Sequence, residues 1–261
     1  MVKENLSPDY FEKSLTYCLE RSALSQKLIE ANKTKDKLFS VLSHDLRSPL
    51  NSIISIINYL NSDAKNISID ELEEMLNSQA QVANAMLSLV NNLLHWSRLN
   101  LGSVKINPVK LNLKKVFNQE EELFIQALKN KKLLMQFHNE VQKPIVCDEN
   151  LLETILRNLI SNAIKFSNLG GAIHINFLQQ TNNFKIEVID EGIGMPKEIQ
   201  NNLFDISKKV GRAGTLDEPS SGLGLFLVKE MVELMKGSIA IESSESKGTK
   251  VTVTLPQKVL V

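Results

Sequence analysis

Cysteine, net charge and long apolar runs are all scarce in this chain. Only two cysteines occur among 261 residues, and Cys18 and Cys147 stand far apart in no metal-ligand spacing. This usage predicts neither a disulfide framework nor a zinc site, and it suits a reducing compartment. The 30 basic and 30 acidic residues cancel, which gives no reason to expect a nucleic-acid-binding face.

The apolar runs also fall short of the roughly 20 residues that a membrane-spanning helix needs. The first residues, Met1 to Asn5, contain no signal-peptide hydrophobic region. We therefore expect a cytoplasmic chain without a membrane segment, or the soluble portion of a longer sensor protein. A hydrophobic content of 43% is sufficient for one large domain or two modest ones.

A helical pattern that contains a His-Asp pair runs from about Pro8 to Leu60. Around this pair, apolar residues recur at steps of three and four: Leu38, Leu42, Leu46, Leu50, Ile53, Ile57 and Leu60. His44 lies two positions from Leu42 and from Leu46, so we expect it to point away from the apolar face. An exposed imidazole beside the carboxylate of Asp45 is suited to proton transfer and nucleophilic attack.

A second long helix is predicted to follow a loop at residues 61–68. Ser68 and Glu71 have the spacing of a capping box, and the apolar seam continues to about Leu101. Two amphipathic helices joined by a short loop predict a helical hairpin. Because each helix carries more apolar surface than one partner covers, we expect two copies to form a dimeric four-helix bundle.

After Asn107-Pro108 the pattern changes to short strands between helices. Helical patterns lie at about 115–130, 149–166 and 222–236, and the strand-like runs are Leu134–Phe137, Ile173–Phe177, Phe184–Ile189, Ser238–Glu242 and Lys250–Leu255. Their alternation favours an α/β sandwich with helices on one face of a mixed sheet. The charge cluster of residues 129–132 is interpreted as a solvated helix end.

Three polar residues interrupt the apolar helix at 149–166. Asn158, Asn162 and Lys165 are spaced four and three apart, so they form one stripe. Amide oxygens suit Mg²⁺ and a lysine can meet phosphate. A merely solvated stripe is an equally good interpretation of this pattern alone.

Two glycine motifs follow. Asp190-x-Gly192-x-Gly194 comes directly after a predicted strand, and Gly222-x-Gly224 opens a predicted helix. A carboxylate there can accept a hydrogen bond from an exocyclic amine, and glycines let backbone approach a flat base. Backbone donors at a helix start can bind phosphate. Each motif alone also suits an ordinary turn.

The ordered set of motifs resembles sensor histidine kinases. The run Phe39–Ile53 resembles their H box, and Asn162, Asp190–Gly194, Phe204 and Gly222–Gly224 resemble the N, G1, F and G2 boxes of the GHKL (Bergerat) ATP-binding fold. The resemblance covers the chain from about residue 30 to its end. It implies a multidomain α and α+β protein: a coiled-coil-like signalling helix at 1–34, a dimerisation and histidine phosphotransfer domain at 35–104, and a catalytic ATP-binding domain at 105–261.

The resemblance also implies a function, namely ATP-dependent phosphorylation of His44 and transfer of the phosphoryl group to an aspartate of a response-regulator receiver domain. Asp45 would act as general base, and Asn158 and Asn162 would hold Mg²⁺. The nucleotide would be bound by Asn158, Asn162, Lys165, Phe166, Asp190, Gly192, Gly194, Phe204, Lys208, Gly222, Leu223, Gly224 and Leu225.

Two departures from the family pattern keep alternatives open. Ser48 stands where many members have a threonine or asparagine that helps water attack the phosphohistidine, so phosphatase activity stays open. The second phenylalanine of the F box is missing, which makes Lys208 or Arg212 a candidate phosphate contact in a lid at about 201–221. The alternatives are a degenerate scaffold or phosphatase, and a GHKL ATPase or serine kinase, which would leave the pair His44-Asp45 unexplained.

Overall fold

A computed structural model describes residues 8–63, 67–100, 106–142, 144–205, 214–216, 218 and 222–257. The elements in chain order are α1 (Pro8–Asp63), α2 (Ile69–Asn100), β1 (Pro108–Lys110), α3 (Leu113–Asn130), β2 (Leu134–Asn139), β3 (Val146–Asp148), α4 (Glu149–Phe166), β4 (Ala172–Gln179), β5 (Asn183–Asp190), α5 (Lys197–Gln200), α6 (Gly224–Leu234), β6 (Ser238–Ser243) and β7 (Thr249–Pro256). The chain divides into two compact units, Met1–Ser48 and Pro49–Val261. Among the described residues, no helix has both the length and the apolarity that a membrane crossing requires.

The two long helices are confirmed. Helix α1 runs through Pro49 to Asp63, and α2 begins at the predicted capping box. There the Ser68 N–H donates to Glu71 Oε2 at 3.0 Å, and the Glu71 N–H donates to Ser68 Oγ at 3.2 Å. These reciprocal bonds satisfy N–H groups that a helix start would otherwise leave unpaired.

A five-stranded sheet forms the centre of the C-terminal half of the chain. Its strand order is β2-β4-β5-β7-β6, with β2 and β4 parallel and the other pairs antiparallel. In β5, alternate residues Phe184, Ile186 and Val188 are buried, as expected of strands with one face against helices. All five predicted strands and the expected α/β architecture are confirmed.

The small two-stranded sheet of β1 and β3 was not predicted. Val109 pairs with Cys147 in antiparallel register, and all three residues of β3 are buried. A fully buried three-residue strand has no alternation to detect. Cys147 and Cys18 are both free thiols, and burial raises the pKa of the Cys147 thiol to about 12.

Lys131 corrects the prediction of a solvated helix end at residues 129–132. Lys129 and Lys132 are exposed, but only 3% of Lys131 is accessible. Its Nζ donates to the carbonyl oxygens of Ile164 at 3.0 Å and Lys165 at 2.8 Å. The end of α3 therefore lies against the end of α4, where backbone carbonyls without helical partners attract a cation.

An ion pair between α3 and α4 leads to a stability prediction. Glu120 is 1% exposed, and Arg157 binds it through Nη2–Oε1 at 3.0 Å and Nε–Oε2 at 3.4 Å. Replacing Arg157 with alanine leaves a buried carboxylate without its partner, so we expect unfolding free energy to fall by about 3 kcal/mol in urea denaturation.

A matched control is Lys115→Ala, which removes the more exposed pair with Glu149 at 3.9 Å and is expected to cost less than about 1 kcal/mol. Adding Glu120→Gln to Arg157→Ala should recover part of the lost stability, because the amide replaces an unpaired charge. Equal stability of the single and double variants would contradict this account.

Candidate functional site

Asp190 occupies the last position of β5, a central strand of the sheet. It pairs in register with Thr249 of β7 and is buried, with 7% of its surface accessible. Its Oδ1 accepts a hydrogen bond from the Gly192 N–H at 2.9 Å. Burial raises the pKa of Asp190 to about 6, although the backbone N–H groups of Gly192 and Thr249 favour the charged form. A buried carboxylate at a strand end can recognise a hydrogen-bond donor with high selectivity.

The glycines after Asp190 are required by close backbone contacts. A Cβ atom at Gly192 would lie 2.1 Å from the carbonyl oxygen of Phe166, and one at Gly194 would lie 1.9 Å from that of Ser244. Gly194 also has a φ of +57°, in the region that favours glycine. This turn is therefore held between the end of α4 and the loop that precedes β7.

The polar stripe of α4 lies beside the start of α6. The Asn158 Nδ2 donates to the Thr154 carbonyl at 2.8 Å. A Cβ atom at Gly224 would lie 3.0 Å from Asn158 Oδ1 and 3.9 Å from Asn162 Nδ2. The structure thus brings Asn158, Asn162 and Gly224 together. The two asparagine side chains carry amide oxygens of the kind that a hard, oxygen-seeking cation such as Mg²⁺ prefers.

Lys165 is half-buried at the last turn of α4. Its Nζ lies 5.6 Å from the centroid of the Phe166 ring, within cation–π range. Burial lowers the pKa of Lys165 to about 8, while nearby Glu218 raises it and Lys131 lowers it. The ammonium form still predominates at neutral pH, so this side chain is suited to bind phosphate.

The other predicted site residues are placed as follows. Phe204 is half-buried, and the Lys229 Nζ lies 5.6 Å from the centroid of the Phe204 ring. Gly222 has a φ of +70°, Leu223 is buried at the start of α6, and Leu225 is half-buried.

Lys208 and the side chains of His44 and Asp45 lie outside the described residues, and Ser48 is exposed on α1. Their functional roles stay predictions.

Sequence reasoning missed the pair Gly248-Thr249 behind Asp190. A Cβ atom at Gly248, whose φ is +83°, would lie 1.9 Å from the Asp190 carbonyl oxygen. Thr249 is buried, and its Oγ1 lies 3.0 Å from Ser243 Oγ. The available signal was a Gly-Thr step between a polar turn and an alternating strand, a common glycine-ended turn that indicates no ligand.

Two family models match the chain in the expected order. Residues 34–102 match the His Kinase A (phospho-acceptor) domain. Residues 147–259 match the histidine kinase-, DNA gyrase B- and HSP90-like ATPase family. The first match spans His44, and the second spans every nucleotide-site residue predicted above.

The histidine protein kinase SaeS of Staphylococcus aureus (strain USA300) is 30% identical over 258 residues, covering 96% of this chain and 73% of that protein. The chain spans much smaller shares of other curated relatives. It covers 16% of the hybrid signal transduction histidine kinase D of Dictyostelium discoideum, at 30% identity over 91% of this chain.

Solved structures share the fold. The Acinetobacter baumannii histidine kinase AdeS aligns with a TM-score of 0.66 at 22% identity, covering 83% of this chain and 98% of that one. The histidine kinase ThkA, solved in complex with the response regulator protein TrrA, aligns with a TM-score of 0.61 at 16% identity, covering 98% of this chain and 68% of that one.

Proposed function

Because the chain belongs to the histidine protein kinase family, we propose that it uses ATP to phosphorylate His44 and passes the phosphoryl group to an aspartate of a response-regulator receiver domain. One observation carries this proposal. A phosphoacceptor-domain match that spans His44 precedes an ATPase-domain match that spans Asp190 and Gly224. A GHKL ATPase or serine kinase would leave the first match unexplained.

The buried carboxylate of Asp190 supports adenine recognition. Its position at the end of β5, with the N–H of Gly192 on Oδ1, leaves a carboxylate that can also accept a bond from the adenine amine. Gly192 and Gly194 form the adjacent wall, because their lack of a side chain permits the close backbone contacts described above.

The cluster of Asn158, Asn162, Lys165 and Gly224 supports binding of the nucleotide phosphates. Lys165 supplies a positive charge, and the backbone at the start of α6 supplies N–H donors. Asn158 and Asn162 are the residues that would hold Mg²⁺. When bound, this ion would neutralise charge that develops on the phosphate oxygens.

The proposed chemical step is an in-line displacement at the γ-phosphorus. A neutral ring nitrogen of His44 forms the new P–N bond while the bond from the γ-phosphorus to the β,γ-bridging oxygen breaks and ADP leaves. The proton of the imidazole passes to Asp45, which acts as general base. Positioning supplies most of the catalysis in such transfers.

Exposed apolar residues on α2 support a homodimer. Ile69 is 76% exposed and Leu76 and Leu87 are more than half exposed in the single chain. A second copy would cover these side chains in a four-helix bundle. The receiver domain would then dock on the hairpin near His44, and the solved ThkA complex with TrrA supports a partner of that kind.

The test is incubation with γ-labelled ATP and Mg²⁺, followed by acid or alkali treatment of the protein. We expect label that is lost in acid and retained in alkali, since a phosphoramidate hydrolyses in acid whereas phosphoserine survives it. Label that survives acid would favour a serine kinase instead. Absence of label in a chain that binds ATP would favour the scaffold or phosphatase alternative. In a phosphatase, the exposed Ser48 hydroxyl is the candidate group to position the attacking water.

A further inference from the structure

Lys131 is a nearly buried cation that joins three separate parts of the chain. It follows α3, and only 4% of its side chain is accessible. Besides the two carbonyl oxygens at the end of α4, its Nζ donates to Thr215 Oγ1 at 2.7 Å and to Glu218 Oε1 at 2.6 Å. An ammonium group has three protons, so four surrounding oxygens saturate it.

Thr215 and Glu218 belong to a short stretch that we call the anchored turn, comprising Gly214, Thr215, Leu216 and Glu218. Within it, the Gly214 N–H donates to the Glu218 carbonyl at 2.9 Å, and the Leu216 N–H donates to Glu218 Oε2 at 2.9 Å. The Thr215 N–H donates to the Lys165 carbonyl at 3.0 Å. The anchored turn is thus fastened to the end of α4.

This attachment places the anchored turn directly on the stem of Lys165. A Cβ atom at Gly214 would lie 2.6 Å from Lys165 Cγ and 2.9 Å from the Lys165 carbonyl oxygen. The contact leaves no room for a side chain at Gly214 and restricts where the lysine stem can lie. The position of the anchored turn therefore limits the position of the Lys165 ammonium.

We propose that Lys131 is a positioning residue for nucleotide binding: by holding the anchored turn against the end of α4, it orients Lys165 toward the phosphate groups of ATP. This inference rests on the proposed nucleotide-binding function. A helix-capping role alone would require only the carbonyl oxygens of Ile164 and Lys165. The additional bonds to Thr215 and Glu218 connect Lys131 to the anchored turn and, through Gly214, to the stem of Lys165.

The test is Lys131→Met, which keeps the length of the side chain and removes its charge. We expect the ATP concentration that gives half-maximal autophosphorylation to rise about tenfold, with the rate at saturating ATP within about twofold, because ground-state binding is what weakens. Lys129→Met removes the same charge from the exposed last turn of α3 and should leave both quantities unchanged.

Amide hydrogen exchange tests the anchor without any nucleotide. In Lys131→Met, the amide of Thr215 should exchange at least about tenfold faster, since its bond to the Lys165 carbonyl depends on the anchored turn. The amides of β5 should exchange as in the wild type. If Lys131→Met does not fold, Glu218→Gln breaks the ion pair from its partly exposed side and should give the same results.

Three outcomes separate the claims. Folded variants with unchanged ATP dependence, or with the Thr215 amide still protected, would overturn the role of Lys131 and leave the proposed function standing. A uniform rise in exchange across β5 would reduce Lys131 to a structural residue and also overturn the proposal. A wild-type chain that binds no nucleotide would contradict the proposed function itself.

Discussion

Replacing His44 with glutamine is expected to abolish transfer of label from γ-labelled ATP to the chain. Glutamine is polar, of similar size and favourable in helices, so α1 should be preserved. It lacks the ring nitrogen that attacks the γ-phosphorus in the proposed step. Label on the denatured protein should fall to background, and calorimetry should give the wild-type affinity for ADP, because the nucleotide site lies on other elements.

The matched control is His138→Gln. His138 lies on the exposed side of β2, with its ring centroid 6.2 Å from that of His174 on β4. This substitution removes the same functional group from a surface outside the candidate site, so labelling should persist. Label that remains in His44→Gln would place the phosphoacceptor elsewhere. Loss of label in both variants would indicate a general defect in the protein preparations.

The parts of the fold that depend on local periodicity could be predicted from the sequence. Strand β5 was expected at Phe184–Ile189 and is found at Asn183–Asp190. Helix α4 was expected at about 149–166 and is found at those residues. In both, one face packs against the core along the whole element, so the spacing of apolar residues carries the information.

The features that depend on distant parts of the chain could not be predicted in this way. Lys131 stands among charged residues of the kind that usually face solvent, and nothing near it indicates that the carbonyl oxygens ending α4 receive its ammonium. Thr249 contributes to the site only because β7 pairs with β5 in a register that sets it opposite Asp190. Such contacts arise from strand pairing and helix packing, which local spacing does not encode.

The Asp190→Asn variant is expected to bind ADP and ATP roughly a hundredfold more weakly than the wild type. Asp190 is the one buried acidic side chain among the described residues of the proposed nucleotide site. In the proposed complex its carboxylate accepts a charge-assisted hydrogen bond from the adenine amine. An amide removes the charge and introduces an NH₂ donor that conflicts with either the adenine amine or the Gly192 N–H. Loss of a hydrogen bond to a charged group costs about 1.5–3 kcal/mol, and a cost near the middle to upper part of this range corresponds to the expected decrease in affinity.

The raised pKa of Asp190 gives this prediction a pH dependence of definite sign. Burial moves the pKa of its carboxyl group from 3.8 to about 6, so protonation below about pH 6 removes the charged acceptor and weakens nucleotide binding. The same carboxyl group affects the stability of the folded state in the opposite direction. Its stabilising contribution to folding is fully present below pH 3.8 and is lost as the pH rises through about 6, because the native state holds the proton more tightly than the unfolded state.

Calorimetric titrations with ADP from pH 5 to pH 8 should therefore show wild-type affinity falling by up to about tenfold per unit below pH 6. In the Asp190→Asn variant, the affinity for ADP should depend less steeply on pH, because only the ADP phosphates and titrating groups other than Asp190 remain to change it. Glu191→Gln removes a charge from the neighbouring, exposed position and should behave as the wild type throughout, which separates the effect of Asp190 from a change in net charge. Thermal midpoints of the three proteins without nucleotide establish that each is folded. Equal affinities and equal pH profiles for folded Asp190→Asn and wild type would contradict the assignment of Asp190 to the adenine amine.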